Sequence, residues 1–394
     1  MKNLKHLTAF IVSLLIIISS CKKDSESPLS TDTRIAGKPE TKMALSAQAK
    51  LSKLRSSLPA GYKIRLQKSA DKLIIAHPQY RNAVRRALAI EPTDCNDATP
   101  VRQWLNAELS DWDDDMIFFA LITGMLDFPT YDALFFENSS SGQRFGTDGQ
   151  YSQTVNKTFK DLKRFWNIQS NGIVLAGLHG DMLRDREKLI RMDQIIFGDS
   201  REVAEFWADL ILSLLNDFPQ FRNGDHPIFT FNGFALAQTN LPDPIGFVPD
   251  KIILGDGLLE GYTAVGFKDI APQAVLAHEF GHHIQFQLNL IEFGGPEGTR
   301  KNELMADAYS AYYLSHARGA SMQWKRVQQF LQVFFNIGDC SFDSDGHHGT
   351  PAERMAAARW GYTIANNAQK QGHILSSQQF AALFNAQLPL LVAR

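Results

Sequence analysis

The sequence predicts a mainly α-helical protein with a small β-sheet, an α+β fold. Long stretches repeat apolar residues at the spacing of one helix face, residues 202–218 among them. Two short stretches, 227–237 and 250–257, carry β-favouring residues between turn formers and predict two short strands. Hydrophobic residues make up 44% of the 394 residues and include 27 Phe, enough to build a large core.

Residues 1–21 predict a lipoprotein signal peptide rather than part of the fold. Lys2 and Lys5 precede an apolar run at residues 7–18, which is shorter than a membrane span. The run ends in Ile-Ser-Ser-Cys, which resembles a bacterial lipobox. We therefore expect Cys21 to be lipidated and to hold the protein on a membrane of the cell envelope, at the outer membrane on its periplasmic or surface side. A plain cleaved signal peptide is the alternative.

Residues 22–44 are rich in Lys, Ser, Thr, Asp and Pro, and we expect them to form a flexible tether. The remainder can fold as one large domain or as a mostly helical region at 45–225 followed by a second domain at 226–394. A net charge of −2 gives no electrostatic case for binding nucleic acid. With Cys21 used for lipid, we expect Cys95 and Cys340 to form a disulfide, with two unpaired thiols as the alternative.

Between residues 45 and 225 the pattern is mostly helical, notably over residues 45–86 and 159–166. Residues 94–100 and 138–150 are typical of loops. Residues 104–128 predict one long helix that is apolar almost all round in its second half, buried in the core and too interrupted to be a membrane span. Residues 171–182 fit either a strand or a helix.

Two polar features of this region have structural explanations. Asp111, Asp113, Asp114 and Asp115 precede the apolar part of the predicted helix, where acidic groups interact favourably with the helix dipole. A calcium loop is the alternative, but the run lacks the Gly and the closing Glu of such a loop. His179 stands beside apolar residues, and we expect it to be satisfied in the core.

The motif that most clearly indicates a chemical function follows the second predicted strand. A helix is expected to begin near Pro272, because proline fits a first helical turn. It carries His278, Glu279 and His282 in an H-E-x-x-H pattern among apolar residues. His278 and His282 are four apart and project from one face, as two corners of a tetrahedral zinc site. Glu279 lies beside the metal, where a carboxylate can take a proton from a zinc-bound water. A surface helix with two solvated histidines is the alternative.

A second helix is predicted after a glycine-rich chain return at residues 293–298. It carries Glu303 and Asp307, again four apart on one face. Because a catalytic zinc takes three protein ligands and leaves one position to water, we expect Glu303 to be the third ligand. We expect Asp307 to accept the N–H of a ligating imidazole. Two carboxylates on a solvated face are the alternative, although Leu, Met, Ala and Tyr surround this pair.

These motifs resemble those of the gluzincins, the thermolysin-like zinc peptidases, which combine H-E-x-x-H with a later N-E-x-x-x-D, here residues 302–307. They are more closely similar to the bacterial neutral zinc metallopeptidases, whose pattern continues with an H-G-T-x-x-x-R segment, here residues 348–354. The resemblance covers about residues 245–365. The metzincin pattern does not fit, because Gln285 and Leu288 stand where it requires Gly and His.

The resemblance implies a zincin-like catalytic domain at residues 226–394, with an active-site helix and a glutamate helix. It implies one Zn²⁺ held by His278, His282 and Glu303. It also implies that Glu279 is the base and that Asp307 orients a ligand.

Zinc peptidases often add a His, Tyr or Arg that stabilises the oxyanion formed when water attacks the carbonyl. His347, His348 and Arg354 are the candidates, and His348 comes first because it aligns with the family pattern. In the alternative, Arg354 pairs structurally and the two histidines lie in a solvated loop.

Together the motifs predict a zinc metallopeptidase anchored at the cell envelope, with a peptide or protein as substrate. One of the two predicted strands is expected to hold an extended peptide along its edge. Two other functions stay open. One is a binding or structural lipoprotein that keeps the zinc and hydrolyses nothing, and the other is an envelope-assembly factor that acts on one partner protein.

Overall fold

The computed structural model describes residues 42–59, 62, 99–292, 295–337, 348–369 and 373–392. Cys21, Cys95 and Cys340 lie outside these residues, so the lipid anchor and the disulfide stay predictions. The described chain is predominantly helical and contains a small mixed sheet, which confirms the predicted fold class.

The prediction of one long helix over residues 104–128 is wrong. The structure has three shorter helices in this part of the chain. Asp113 accepts the Met116 N–H at 2.8 Å and caps the start of the second of them. Gly124, at φ +83°, ends that helix in the left-handed conformation that glycine tolerates. The helices of this region are α1 (Lys42–Ser56), α2 (Pro100–Glu108), α3 (Asp114–Thr123), α4 (Phe128–Phe136), α5 (Ser152–Phe165), α6 (Arg186–Phe197) and α7 (Arg201–Asp217).

The apolar stretch Asp114–Phe136 has the length and composition of a membrane span, the one such stretch among the described residues. Within the protein, however, 83% of its most apolar window is buried. Gly124 also divides it into α3 and α4, so no single helix runs its length. These features are those of a core segment.

A three-stranded sheet lies at the centre of the described chain. Its strands are β1 (Val174–Leu178), β2 (Gly233–Leu236) and β5 (Lys251–Gly255). Two further short strands, β3 (Thr239–Asn240) and β4 (Phe247–Val248), pair with each other in a separate sheet. The order is β1-β5-β2, with β5 parallel to β1 and antiparallel to β2. Residues 171–182 therefore contribute a strand, and the sheet joins segments from both sides of residue 225.

The strand expected over residues 227–237 begins later than the sequence suggested. Pro227–Thr230 is a 3₁₀ helix, and β2 starts only at Gly233. The cause is local, because the His226 side chain accepts the Ile228 N–H at 3.2 Å and thereby caps a helical turn.

The carboxy-terminal helices are α8 (Asp256–Ala264), α9 (Ala271–Gln287), α10 (Pro296–Ser315), α11 (Trp324–Ile337), α12 (Pro351–Gln369) and α13 (Ser377–Leu391). Pro272 lies in the first turn of α9, as predicted. Helix α10 packs between α9 and α12, with small residues where the helices meet. A Cβ at Gly281 of α9 would lie 3.1 Å from the Ala306 Cα of α10, and one at Gly361 of α12 would lie 2.3 Å from the Ala308 carbonyl oxygen.

The sheet fixes α9 from the other side. His283 donates from Nε2 to the Lys251 carbonyl oxygen at 3.0 Å, which ties α9 to β5. The Lys251 side chain is fully buried. Its ammonium group donates to three carbonyl oxygens at the end of α4 and to Asn138 Oδ1 at 2.6 Å. Burial lowers the pKa of Lys251 to about 8.

We expect Gly361→Ala to lower the free energy of unfolding by roughly 1–3 kcal/mol, since the added methyl group overpacks the α10–α12 contact. Urea denaturation of the purified protein measures this. Gly172→Ala is the control, because a Cβ there meets no atom within 4 Å. If the Gly361→Ala and Gly172→Ala proteins unfold at the same urea concentration, the close packing of α12 on α10 is not what stabilises this part of the fold.

Candidate metal centre

His278, His282 and Glu303 form a buried group that can hold a metal ion. The two histidines project from one face of α9, and Glu303 reaches them from α10. The two Nε2 atoms lie 3.2 Å apart. Glu303 Oε2 is 3.2 Å from His278 Nε2, and Glu303 Oε1 is 3.4 Å from His282 Nε2.

The outer nitrogen of each imidazole has its own partner. His278 Nδ1 lies 2.8 Å from Asp307 Oδ1, at the distance at which a carboxylate accepts an N–H. His282 Nδ1 lies 2.9 Å from Gln285 Oε1. The amide of Gln285 is oriented by its other end, because Nε2 donates to the Asn302 carbonyl oxygen at 2.6 Å. With Nδ1–H on both rings, both Nε2 lone pairs face Glu303.

This arrangement fits a tetrahedral metal ion. Donor atoms bound to zinc at about 2.0–2.1 Å with tetrahedral angles lie about 3.3 Å from one another. The separations between the two Nε2 atoms, His278 Nε2 and Glu303 Oε2, and His282 Nε2 and Glu303 Oε1 are 3.2, 3.2 and 3.4 Å. Two imidazole lone pairs and a carboxylate converging this closely repel one another unless a cation or a proton lies between them. The set of two imidazoles and one carboxylate is also one that zinc accepts.

Burial disfavours the charged form of each group, and neighbours decide the balance. For His278, the hydrogen bonds and charges of Asp307 and Glu303 outweigh burial and raise its pKa to about 9. For His282, burial prevails and lowers the pKa to about 4. For Glu303, the charges of both histidines and of His348 outweigh burial and lower the pKa to about 2. Of the two imidazoles, His278 is therefore the one that keeps its charged form to higher pH.

Glu279 follows the first ligand and lies beside the trio. Its side chain is fully buried, and neither carboxylate oxygen has a hydrogen-bond partner in the part of the chain that the structure describes. Burial raises its pKa to about 8. Burying an ionised carboxylate without a hydrogen-bond partner lowers the stability of the fold. The oxygens of Glu279 can accept a hydrogen bond or a proton from a molecule that enters beside the metal-binding group.

The chain return between α9 and α10 is held by Asn302. Its side chain accepts the Glu292 N–H at 3.1 Å and donates to the Glu292 carbonyl oxygen at 3.0 Å. Its own carbonyl oxygen accepts from Gln285. One residue therefore closes the loop, orients the amide that holds His282 and precedes Glu303 directly.

The segment predicted to stabilise an oxyanion lies next to these groups. His348 is buried, and its charge contributes to lowering the pKa of Glu303. Arg354 is fully buried on α12, with its guanidinium directed at Asp307 and Glu303. His347 lies outside the described residues. His179 is elsewhere, where Nδ1 lies 2.7 Å from Asp256 Oδ2 just beyond the ends of β1 and β5.

The sequence analysis missed one partner of the centre, Gln285, and left the direction of His283 open. Gln285 was noted only as a departure from the metzincin pattern, although its position three residues after His282 places both on one face of α9. His283 had no assigned direction. It faces β5 instead of the trio, because one residue advances a helix by about 100°.

No family model, no curated protein and no solved structure matches this chain. The residues of the centre and their geometry support a metal-binding group.

We expect the purified protein to bind one divalent metal ion per chain and His282→Ala to lose it, because two donors alone bind a metal far more weakly. Elemental analysis after gel filtration measures the ratio. His283→Ala is the matched control, since it removes a buried imidazole of the same helix that faces β5. Equal metal content in the two variants would contradict the assignment of His282.

Metal binding at pH 7 is expected to release about one to two protons, because ligands and their neighbours must be deprotonated. His278, with its pKa near 9, and Glu279, with its pKa near 8, are both protonated at pH 7 in the metal-free protein. Apparent affinity should therefore fall as the pH falls below about 9. Calorimetry in buffers of different ionisation enthalpy counts the protons, and binding without proton release would rule out His278 as a ligand.

Proposed function

We propose that this protein is a zinc-dependent peptidase of the gluzincin type, which hydrolyses peptide bonds with water activated at the metal centre. The observation that carries the proposal is Glu279, a fully buried carboxylate beside the trio, both of whose oxygens lack a hydrogen-bond partner among the described residues. A purely structural metal site gains nothing from such a group, and burying it without a partner costs stability. A carboxylate in this place can take a proton from a metal-bound water.

The motif resemblance supports the same function. H-E-x-x-H, N-E-x-x-x-D and H-G-T-x-x-x-R are separated in sequence, yet His278, Glu303, Asp307 and Arg354 contact one another in one buried cluster. Asp307 lies where the gluzincin pattern requires a residue that orients a ligand.

Each residue of the centre has a defined task in this reaction. His278, His282 and Glu303 would hold the ion and leave a position for water or substrate. A zinc ion held in this way acidifies a water molecule and polarises a carbonyl group. Glu279 takes the proton from the water and passes it to the leaving amine. A base whose pKa lies near neutrality is suited to both transfers.

The sheet offers one place for an extended peptide. β5 lies between β1 and β2 and has no open edge. On the far side of β1, Ser140 Oγ accepts the Leu175 N–H and Gln143 Oε1 accepts the Gly177 N–H. β2 packs against α9 and has β5 as its one strand partner in the described chain. The four residues of β2 are buried, so peptide addition along β2 would require the chain that covers it to move, and it would then bring a substrate next to the metal helix.

The predicted amino-terminal segments supply the proposed location. Lipidation at Cys21 would anchor the protein to a membrane of the cell envelope, and the tether predicted over residues 22–44, the last three of which belong to α1, would let the folded part reach substrates near that surface.

A non-catalytic, zinc-binding envelope lipoprotein is the second candidate, and one observation favours it. His278, Glu279, His282 and Glu303 are each 0–1% exposed, so a substrate reaches them only if the surrounding chain moves. Purified metal-loaded protein that cleaves no peptide in a mixed peptide library would favour this candidate.

We expect Glu279→Gln to lower peptide hydrolysis by roughly 10²–10⁴-fold, because an amide cannot take the proton from water. The metal content should stay at the wild-type value, since Glu279 is not a ligand. Cleavage of a quenched-fluorescence peptide library and elemental analysis measure the two quantities. Glu202→Gln, at an exposed position of α7, is the control. Full activity in Glu279→Gln would refute the proposed base.

A further inference from the structure

Arg354 is a fully buried cation that contacts the metal centre from a third helix. Its Nε lies 2.6 Å from Asp307 Oδ2, and its Nη2 lies 2.7 Å from Asp307 Oδ1, a two-pronged contact. Its Nη1 lies 3.5 Å from Glu303 Oε2 and has no hydrogen-bond partner among the residues that the structure describes. The guanidinium therefore joins the carboxylate that orients His278 to the carboxylate of the trio.

Contacts at the start of α12 fix the position of the Arg354 side chain. Thr350 and Glu353 form a reciprocal cap, in which the Thr350 N–H donates to Glu353 Oε2 at 2.9 Å and the Glu353 N–H donates to Thr350 Oγ1 at 3.2 Å. Gly349, at φ +87°, turns the chain into the helix against Leu304, where a Cβ would lie 3.2 Å from Leu304 Cδ2. The segment thus fixes the first turn of α12 to α10, and Arg354 follows in that turn.

Charge explains why a guanidinium is buried there. Glu279, Glu303 and Asp307 are buried carboxylates, and with all three ionised they carry three negative charges. A divalent ion supplies two positive charges and Arg354 supplies the third. Burying unbalanced charge is far more costly than burying a matched set.

We propose that Arg354 is a positioning residue of the metal centre, which holds Asp307 in the orientation that makes His278 present Nε2 to the ion. Both Asp307 oxygens are occupied by Arg354, so the carboxylate has one orientation, with Oδ1 also accepting from His278 Nδ1. The H-G-T-x-x-x-R segment therefore serves the metal through Asp307. This inference depends on the metal site of the proposed function and does not require peptide hydrolysis.

The test compares zinc affinity, measured by chelator competition, in Arg354→Met, Arg354→Lys, Asp307→Asn and the double variant Asp307→Asn/Arg354→Met. We expect Arg354→Met to weaken binding by roughly 10–100-fold, as for other groups that orient metal ligands. Arg354→Lys should restore part of the affinity, because an ammonium keeps the charge without the two-pronged contact. In the Asp307→Asn background, Arg354→Met should have little further effect, because it acts through Asp307.

Arg191→Met is the control, because Arg191 pairs with the buried carboxylate of Asp132 instead of a residue of the metal centre. Wild-type affinity is expected in this variant. NMR of the zinc-loaded protein supplies a second readout, the ¹H shift of the His278 Nδ1–H, which should move in Arg354→Lys and stay unchanged in Arg191→Met. If Arg354→Met does not fold, Arg354→Lys and the NMR shift decide the question.

Wild-type zinc affinity in Arg354→Met or Arg354→Lys with an unchanged His278 shift would overturn the inference, as would additive losses in the double variant. A wild-type protein that takes up no zinc would instead overturn the metal centre itself. A wild-type protein that binds zinc but cleaves no peptide would overturn the proposed peptidase function and leave the role of Arg354 intact.

Discussion

Charge buried away from water is the constraint on which the centre depends. Glu279, Glu303 and Asp307 lie inside the protein with His278 and Arg354, and each ionised group needs a counter-charge or a hydrogen bond. Asp307 is satisfied on both oxygens, and Glu303 is in ionic contact with both histidines and Arg354. Within the described residues, Glu279 accepts no hydrogen bond. A cation among the three donors would balance the remaining buried negative charge, so metal binding and folding are expected to stabilise each other.

Much of the fold could be predicted from local patterns. The strong apolar periodicity of residues 202–218 and the proline near the start of α9 led to elements that the structure contains. The errors arose where a single polar or glycine residue overrides the apolar pattern. Asp113 and Gly124 cut the helix expected over residues 104–128, and His226 caps a helical turn where a strand was expected. Such effects depend on the conformation of one residue, and the apolar pattern of a whole stretch does not show them.

The metal-binding group was predictable to a different degree for each of its parts. The spacing of His278 and His282 on one helix is a local property and needs no tertiary information. Glu303 could be placed only by expecting the chain return that Asn302 holds. The direction taken by Arg354 could not be derived at all, because it depends on how α12 packs against α10, which no spacing within one helix encodes.

The sheet has a further consequence for how the chain can be divided. β1 comes from residues 174–178 and covers one side of β5, whose other side is paired with β2. A fragment starting at residue 226 would retain both histidines and Glu303 but would leave β5 with a row of free N–H and C=O groups. Such a bare edge is a template for intermolecular pairing, so the fragment would tend to aggregate instead of folding on its own. In the whole protein, β1 pairs with this side of β5 and leaves no such edge there.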